Sequence, residues 1–283
     1  VNTELTAERE KLSSEKVRLE KVVEFQEGTL TGLDANKMGR TLMRLFSAGI
    51  TDQLTRTKRT PEEIKEAVER FSQLAVRANP TDVAKDLLDE ELLKAAVATI
   101  EAGFTDDPVT EASLRMAIEQ AYWNLGLYAQ AQSVLEKALS IRQSHLGSEH
   151  PKTLRAINHL GILLLSQGKH EEAEPYLRDA LAGFRRVMGN EHRHTTAAMN
   201  DVAILLVKQG KIDEAEPLYR QAVEINQKNL GLGDPDTLSC MNELGSLLKT
   251  QGKLDEAISW HRRALEGFRR LFGDDALELF GPM

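Results

Sequence analysis

Apolar positions in the second half of the chain recur three and four residues apart, the spacing of a helix face, and glycines punctuate them at a fixed interval. Gly126, Gly168, Gly210 and Gly252 stand 42 residues apart, as do Ala131, Ala173, Ala215 and Ala257. Ala138, Ala180, Ala222 and Ala264 keep the same step, and so do Gly147, Gly189, Gly231 and Gly273. Columns of small residues held in one register define a repeat. Each unit reads as two helices. In 151–187, Pro151 opens the first, where a missing N–H costs nothing. Ile157, Leu160, Gly161 and Leu164 form its stripe, and Gly168 ends it. Ala173, Leu177, Ala180 and Leu181 form the stripe of the second, with Gly161, Ala173 and Ala180 allowing close approach of the pair. The next unit repeats the face with Met199, Val202, Ala203 and Leu206, then Ala215, Tyr219 and Ala222. The last carries Met241, Leu244, Gly245 and Leu248, then Ala257 and Ala264. Pro175 and Pro217 are expected in the first turn of the second helices, with Asp213 capping ahead of Pro217. Val, Ile and Thr nowhere alternate with polar residues for long, which argues against sheet.

Upstream the pattern changes. Residues 1–28 predict a charged helix over 4–27, with Leu5, Leu12 and Leu19 at heptad spacing but Glu8 and Glu15 at the companion positions. That half-apolar seam fits a two-stranded coiled coil, a solvated single helix or a linker. Residues 29–106 predict a helical cap. Asp34 is placed to cap a short helix carrying Met38, Leu42, Leu45 and Phe46. Thr60-Pro61-Glu62-Glu63 is a capping box with Pro at the first helical position, followed by Ile64, Val68, Phe71 and Leu74. Asn79-Pro80 starts a further helix holding Leu87, Leu88, Leu92, Ala96 and Ile100. Both of these helices are expected to pack on the first repeat and hide its open end. The repeats occupy 107–275, and 276–283 reads as a tail or the start of a truncated next repeat, with Leu279 and Phe280 exposed.

The segments LGILLLSQGKHEEAEPYLRDAL, VAILLVKQGKIDEAEPLYRQAV and LGSLLKTQGKLDEAISWHRRAL resemble tetratricopeptide repeats. The 42-residue period and the linkers LGSEHPKTL and LGLGDPDTL are similar to the longer variety of kinesin light chains. The resemblance implies an all-α, right-handed α-solenoid of four helix pairs with an N-terminal helical cap and a leading helix. It also implies a protein-interaction scaffold holding a peptide or protein segment in its concave groove. The first unit is degenerate in its first helix, as a capping repeat often is. More narrowly, VVEFQEGTLTGLDANKMGRTL, DLLDEELLKAAVATIEAGFTDDPVTEASLR and YWNLGLYAQA resemble the region after the membrane helix of certain bacterial serine/threonine protein kinases with C-terminal repeats. That implies a non-catalytic sensory or substrate-recruiting region, tethered to a bacterial membrane through upstream sequence. A third reading is structural, with a homodimer formed through residues 4–27.

Charge and composition narrow the field. The formal net charge is −8, and the acidic excess concentrates in 61–106. Phosphate binding needs clustered Lys and Arg, so nucleic acid is not the expected partner. Cys240 is the only cysteine, so no internal disulfide forms and no compartment follows. No apolar run reaches the roughly 18 residues of a membrane span. The chain opens on Val1 without a signal-peptide pattern, which reads as a piece of a parent extending upstream.

Chemistry is not expected of this chain. It carries no kinase signature, P-loop or dinucleotide fingerprint, and no cofactor is implied. His261-Arg262-Arg263 belongs to a repeat helix. Glu191, His192 and His194 fall short of the three or four convergent ligands of a metal site, and His192 shares the linker column of His150 and Asp234, where a polar cap is the simpler reading. Cys240 shares the column of Ala156 and Ala198 and reads as a small core residue. Asn158, Asn200 and Asn242 are different. Asn is a mediocre helix former, so a column of three on the first helices needs a reason. In the light-chain repeats the matching Asn contacts peptide backbone, and an amide offers both donors and an acceptor. The alternative is that these amides tie neighbouring helices together. Arg155, Ile162, Ile204, Ser246, Lys208 and Lys249 are expected on the same face, which suits a peptide of acidic and apolar character. Met116 replaces Asn in the first unit, and the second Asn of the light-chain pattern is His159, Asp201 and Glu243 here. The Lys/Asn clamp of chaperone-binding repeats is missing, so the ligand does not carry over.

Overall fold

The computed structural model describes residues 34–272 apart from 57, 78 and 105; the expected helix over 4–27 and the tail 276–283 lie outside the described residues. The described chain is all-α, with no strand among those residues. It forms two compact units, 1–138 and 139–283, and the division falls inside one helix.

The first unit holds α1 (Ala35–Arg56), α2 (Pro61–Arg77), α3 (Pro80–Leu87), a π-helical stretch Leu88–Leu93, α4 (Lys94–Gly103), α5 (Pro108–Asn124) and most of α6 (Tyr128–Leu146). Asp34 caps α1 by accepting from the Lys37 N–H at 2.8 Å, but α1 is a long helix of 22 residues rather than a short one. The capping box closes as read: Thr60 N–H donates to Glu63 at 2.9 Å and Glu63 N–H to the Thr60 hydroxyl at 3.3 Å. Among the described residues α2 packs mainly on α1, and the segment that starts at Asn79 reaches the first repeat pair through α4 on α5. The helix expected to run on from Pro80 is interrupted by the π turn. There Asp89 is buried and accepts from the Tyr122 hydroxyl at 2.8 Å and from Gln130 at 3.3 Å. A buried carboxylate needs such partners, and one wider turn aims it at them.

The second unit continues α6 and adds α7 (Pro151–Ser166), α8 (His170–Met188), α9 (Arg193–Lys208), α10 (Ile212–Asn229), α11 (Pro235–Thr250) and α12 (Leu254–Phe272). Each odd helix pairs with the even one after it, and α8 packs on α9 and α10 on α11. This is a repeat solenoid whose contacts are between neighbours. α9 also lies against both α7 and α11, so the first helices of successive pairs line one side. The predicted core is the observed one: Leu160, Leu164, Leu177, Met199, Val202, Leu206, Tyr219, Met241, Leu244 and Leu248 are all buried. Close approach rests on Gly161, where a Cβ would sit 2.6 Å from Leu177 Cγ.

Pro175 and Pro217 depart from expectation. α8 and α10 begin at His170 and Ile212, behind Lys169 and Lys211 as caps, so each proline stands inside its helix and Asp213 is not the cap. The prolines are exposed, and water can take the carbonyls of Glu171 and Asp213 that they leave without a helical donor.

Candidate functional site

The linkers set the angle at which each first helix enters. His150 and His192 cap α7 and α9 by accepting, at Nδ1, the N–H two residues on, both at 3.1 Å. Asp234 does the same for α11 through Oδ1 at 2.9 Å. Side-chain acceptors here satisfy helix N–H groups that have no partner inside the helix. The cap reading of His192 therefore holds. Among the described residues no group of three His, Cys, Asp or Glu is placed to hold a metal ion. Cys240 is buried; Asn226 donates to its sulfur at 3.7 Å, and burial pushes its thiol up to about 12.

All nine residues expected on the groove face fall on α7, α9 and α11. Arg155, Lys208, Ser246 and Lys249 are exposed, while Ile162 and Ile204 are half-buried in one column. The asparagine column is not uniform. Asn158 is buried, and its amide donates to Asp201 of α9 at 2.6 Å. Asn242 meets His261 Nδ1 of α12 at 2.9 Å. Among the described residues Asn200, on the central helix, makes no side-chain hydrogen bond; its Oδ1 is buried without a partner, as is that of Asn158. Two rungs thus tie helices together, and the middle one is left over. His261, read from sequence only as part of a repeat helix, breaks a column of Leu177 and Tyr219 with a polar group.

Electrostatically the face is mixed. Burial pushes the Asp201 carboxyl up to about 6, against the opposing hydrogen bond from Asn158 and the nearby His159. Burial also raises Glu243, which Lys208 partly offsets. Behind this face Arg142, at the end of α6, donates to the Lys152 carbonyl at 2.8 Å; burial and then Arg155 bring its guanidinium down to about 10. Hydrogen bonds, an ion pair between Arg193 and Asp236, and the half-buried Ile162 and Ile204 thus share α7, α9 and α11.

With that geometry, the comparisons identify the class. The tetratricopeptide repeat family matches at residues 111–186 and 194–270, together more than half of the chain, and the chain belongs to it. Its fold is shared with several solved structures of low sequence identity. BtubC (BKLC) from P. vanneervenii is 20% identical with a TM-score of 0.56, covering 89% of this chain and 95% of its own. A putative kinesin light chain with nearly identical TPR-like repeats from Podosopora anserina is 21% identical, with a TM-score of 0.51 over 76% of this chain and 99% of its own. The Rap conjugation gene regulator of the plasmid pLS20, in complex with the Phr peptide, is 17% identical with a TM-score of 0.55 over 75% of this chain and 56% of its own. No curated protein matches the chain. None of these three structures is described as kinase-associated, so that narrower resemblance rests on sequence alone. Among the described residues no helix is long and apolar enough to cross a membrane.

Proposed function

We propose that this chain is a protein-interaction scaffold that holds an extended peptide across α7, α9 and α11, with Asn200 as the central contact. The observation that carries this is the asymmetry of the asparagine column. The flanking amides are engaged by Asp201 and His261, while Asn200 makes no side-chain hydrogen bond. The Asn200 NH2 is not among the buried unpartnered atoms and has no hydrogen-bond partner among the described residues, so its two donors are free for the carbonyls of a bound main chain. Ile162 and Ile204 offer alternate apolar footholds beside it, and Lys208 and Lys249 favour carboxylates on the ligand. The Rap regulator, a repeat protein of shared fold, was solved with a peptide bound, which is consistent with this use of the fold.

The test is a peptide-display selection on residues 28–283, with Asn200→Ala and the triple change Asn158→Ala, Asn200→Ala, Asn242→Ala as counter-screens. Selected peptides should lose at least about tenfold in affinity on Asn200→Ala while helix content stays unchanged. Peptides that bind both variants undiminished would place the binding surface elsewhere. The narrower readings add context to the same scaffold. A kinase domain encoded upstream of Val1 would make it a recruiting region, and equal monomeric masses for residues 1–283 and 28–283 would end the dimerisation reading.

A further inference from the structure

Arg142, near the end of α6, stands where the second helices of the next three units place Phe184, Asn226 and Phe268, all of them buried. It is buried too, 6% exposed, yet it carries a charge into that column. A buried guanidinium ordinarily meets a carboxylate or fills most of its five donors. Here Nη1 donates to the Lys152 carbonyl at 2.8 Å, and Nε is buried without a partner. Nη2 is not among the buried unpartnered atoms and has no hydrogen-bond partner among the described residues. The unused side is therefore the Nε–Nη2 edge, whose two parallel N–H groups match two oxygens of one anion.

Among the described residues neither Arg142 nor Arg155 of α7 makes an ion pair. Arg155 is exposed, and after burial it is the charge that holds the Arg142 guanidinium down. On α9 the half-buried His194 ring lies 5.7 Å from Phe184 and 5.2 Å from His192. Burial first, then Arg155, holds that imidazole below its usual value. The carboxylates of the linkers and of the first turn of α11 are engaged elsewhere: Glu149 by Arg186, Glu191 by Lys228, Asp234 by the Asp236 N–H and Asp236 by Arg193. Two more are spent on a clasp that recurs between successive pairs. Glu174 of α8 accepts from Gln209 at 2.7 Å, and Glu216 of α10, one unit on, accepts from Gln251 at 2.9 Å. Two guanidiniums and an imidazole thus stand together without a counter-charge, in a chain whose net charge is −8.

We propose that Arg142, Arg155 and His194 form a binding site for a phosphate-type oxyanion where the end of α6 meets the first turns of α7 and α9. The Nε–Nη2 edge of Arg142 takes two oxygens, the exposed Arg155 guanidinium closes over the outer side, and the His194 ring donates to a third. A dianion answers two fixed positive charges, where a single carboxylate answers one. A free phosphate ion and a phosphorylated side chain on a bound segment offer the same chemistry. The site goes beyond the groove reading, and its first test uses no peptide.

Inorganic phosphate titrated into the 283-residue chain, against chloride at matched ionic strength, tests this by NMR of the His194 ring. Phosphate should bind saturably and move the His194 titration midpoint upward by about half a pH unit or more, and chloride should do neither. Arg155→Gln, at an exposed position, should weaken phosphate binding by at least about tenfold. Arg178→Gln, an exposed arginine engaged by Glu174, should leave it unchanged. Arg142→Phe gives the column the residue that the next unit holds and should abolish binding with helix content unchanged. Shifts that never saturate, that chloride reproduces, or that survive Arg155→Gln would overturn the proposal. N-acetyl-phosphoserine amide separates the two sources. Binding at least about tenfold tighter than that of inorganic phosphate assigns the anion to a side chain of a bound segment, and equal or weaker binding assigns it to the free ion.

Discussion

The amide of Asn158 on α7 donates to the carboxylate of Asp201 on α9 at 2.6 Å, joining the first helices of two successive repeats. The pair is offset from the repeat period by one residue. The same two columns, one unit further on, hold Asn200 and Glu243, for which no such bond forms. The link is therefore local, and it has a pH signature.

Burial raises Asp201 from an ordinary 3.8 to about 6 in the folded protein. A raised carboxyl binds more protons in the folded than in the unfolded state between those values, so its contribution to stability falls as pH rises from about 4 to 6 and stays low above. Asp201→Asn should therefore stabilise the protein at pH 7.5 by about 1 kcal/mol and have little effect at pH 4.5. Urea unfolding at the two pH values checks this. An equal effect at both would show that the carboxyl is not desolvated.

Glu216 shifts the other way. Hydrogen bonds from Lys253 first, then Gln251, bring it down to about 2 from an ordinary 4.5. Its contribution is present above the unfolded value and is lost as pH falls from 4.5 towards 2. Glu216→Ala should cost about 1 kcal/mol at neutral pH and progressively less on acidification, as read by thermal melts across that window.

Gly161→Ala should cost about 1–3 kcal/mol, since the added Cβ would meet Leu177 Cγ at 2.6 Å and Leu177 backbone N at 3.2 Å. Gly233 has nothing within 4 Å of a built Cβ and no positive φ, so Gly233→Ala should be neutral or slightly stabilising. Denaturant midpoints of the two variants make the comparison, and similar losses would mean that the α7–α8 approach is not tight.

Cys240 should react with a thiol reagent at pH 8 about a thousandfold more slowly than in the urea-unfolded chain, because its sulfur is buried and its thiolate disfavoured. Labelling that matches the unfolded rate would show that α10 and α11 separate readily.

The repeat was legible because each unit is a nearly closed local problem: two helices, a glycine turn and a column of small residues that recurs every 42 positions. Capping by Thr60, His192 and Asp234 was readable for the same reason, being contacts within four residues. What was not legible depended on distant partners. The π turn at Leu88–Leu93 exists to deliver Asp89 to Tyr122 and Gln130, which lie 33 and 41 residues away. The prolines in α8 and α10 misled because Lys169 and Lys211 cap through backbone conformation alone, with no side-chain hydrogen bond to betray them. For the groove, the columns placed every residue on the right helices. They could not say which amide would be consumed by a neighbour, since that depends on the diagonal contact from Asn158 to Asp201 and on His261 standing opposite Asn242.

The clasp between Glu174 and Gln209, repeated by Glu216 and Gln251, gives the array a grammar for growth. Every inner unit carries both halves of the joint, a carboxylate for its successor and an amide for its predecessor. A unit duplicated in whole steps would therefore splice in with both joints already matched and no second change required. Ile258 supplies no such carboxylate, so a copy spliced in directly after α12 would lack this joint, whereas copies of the units that carry Glu174 and Glu216 would keep it.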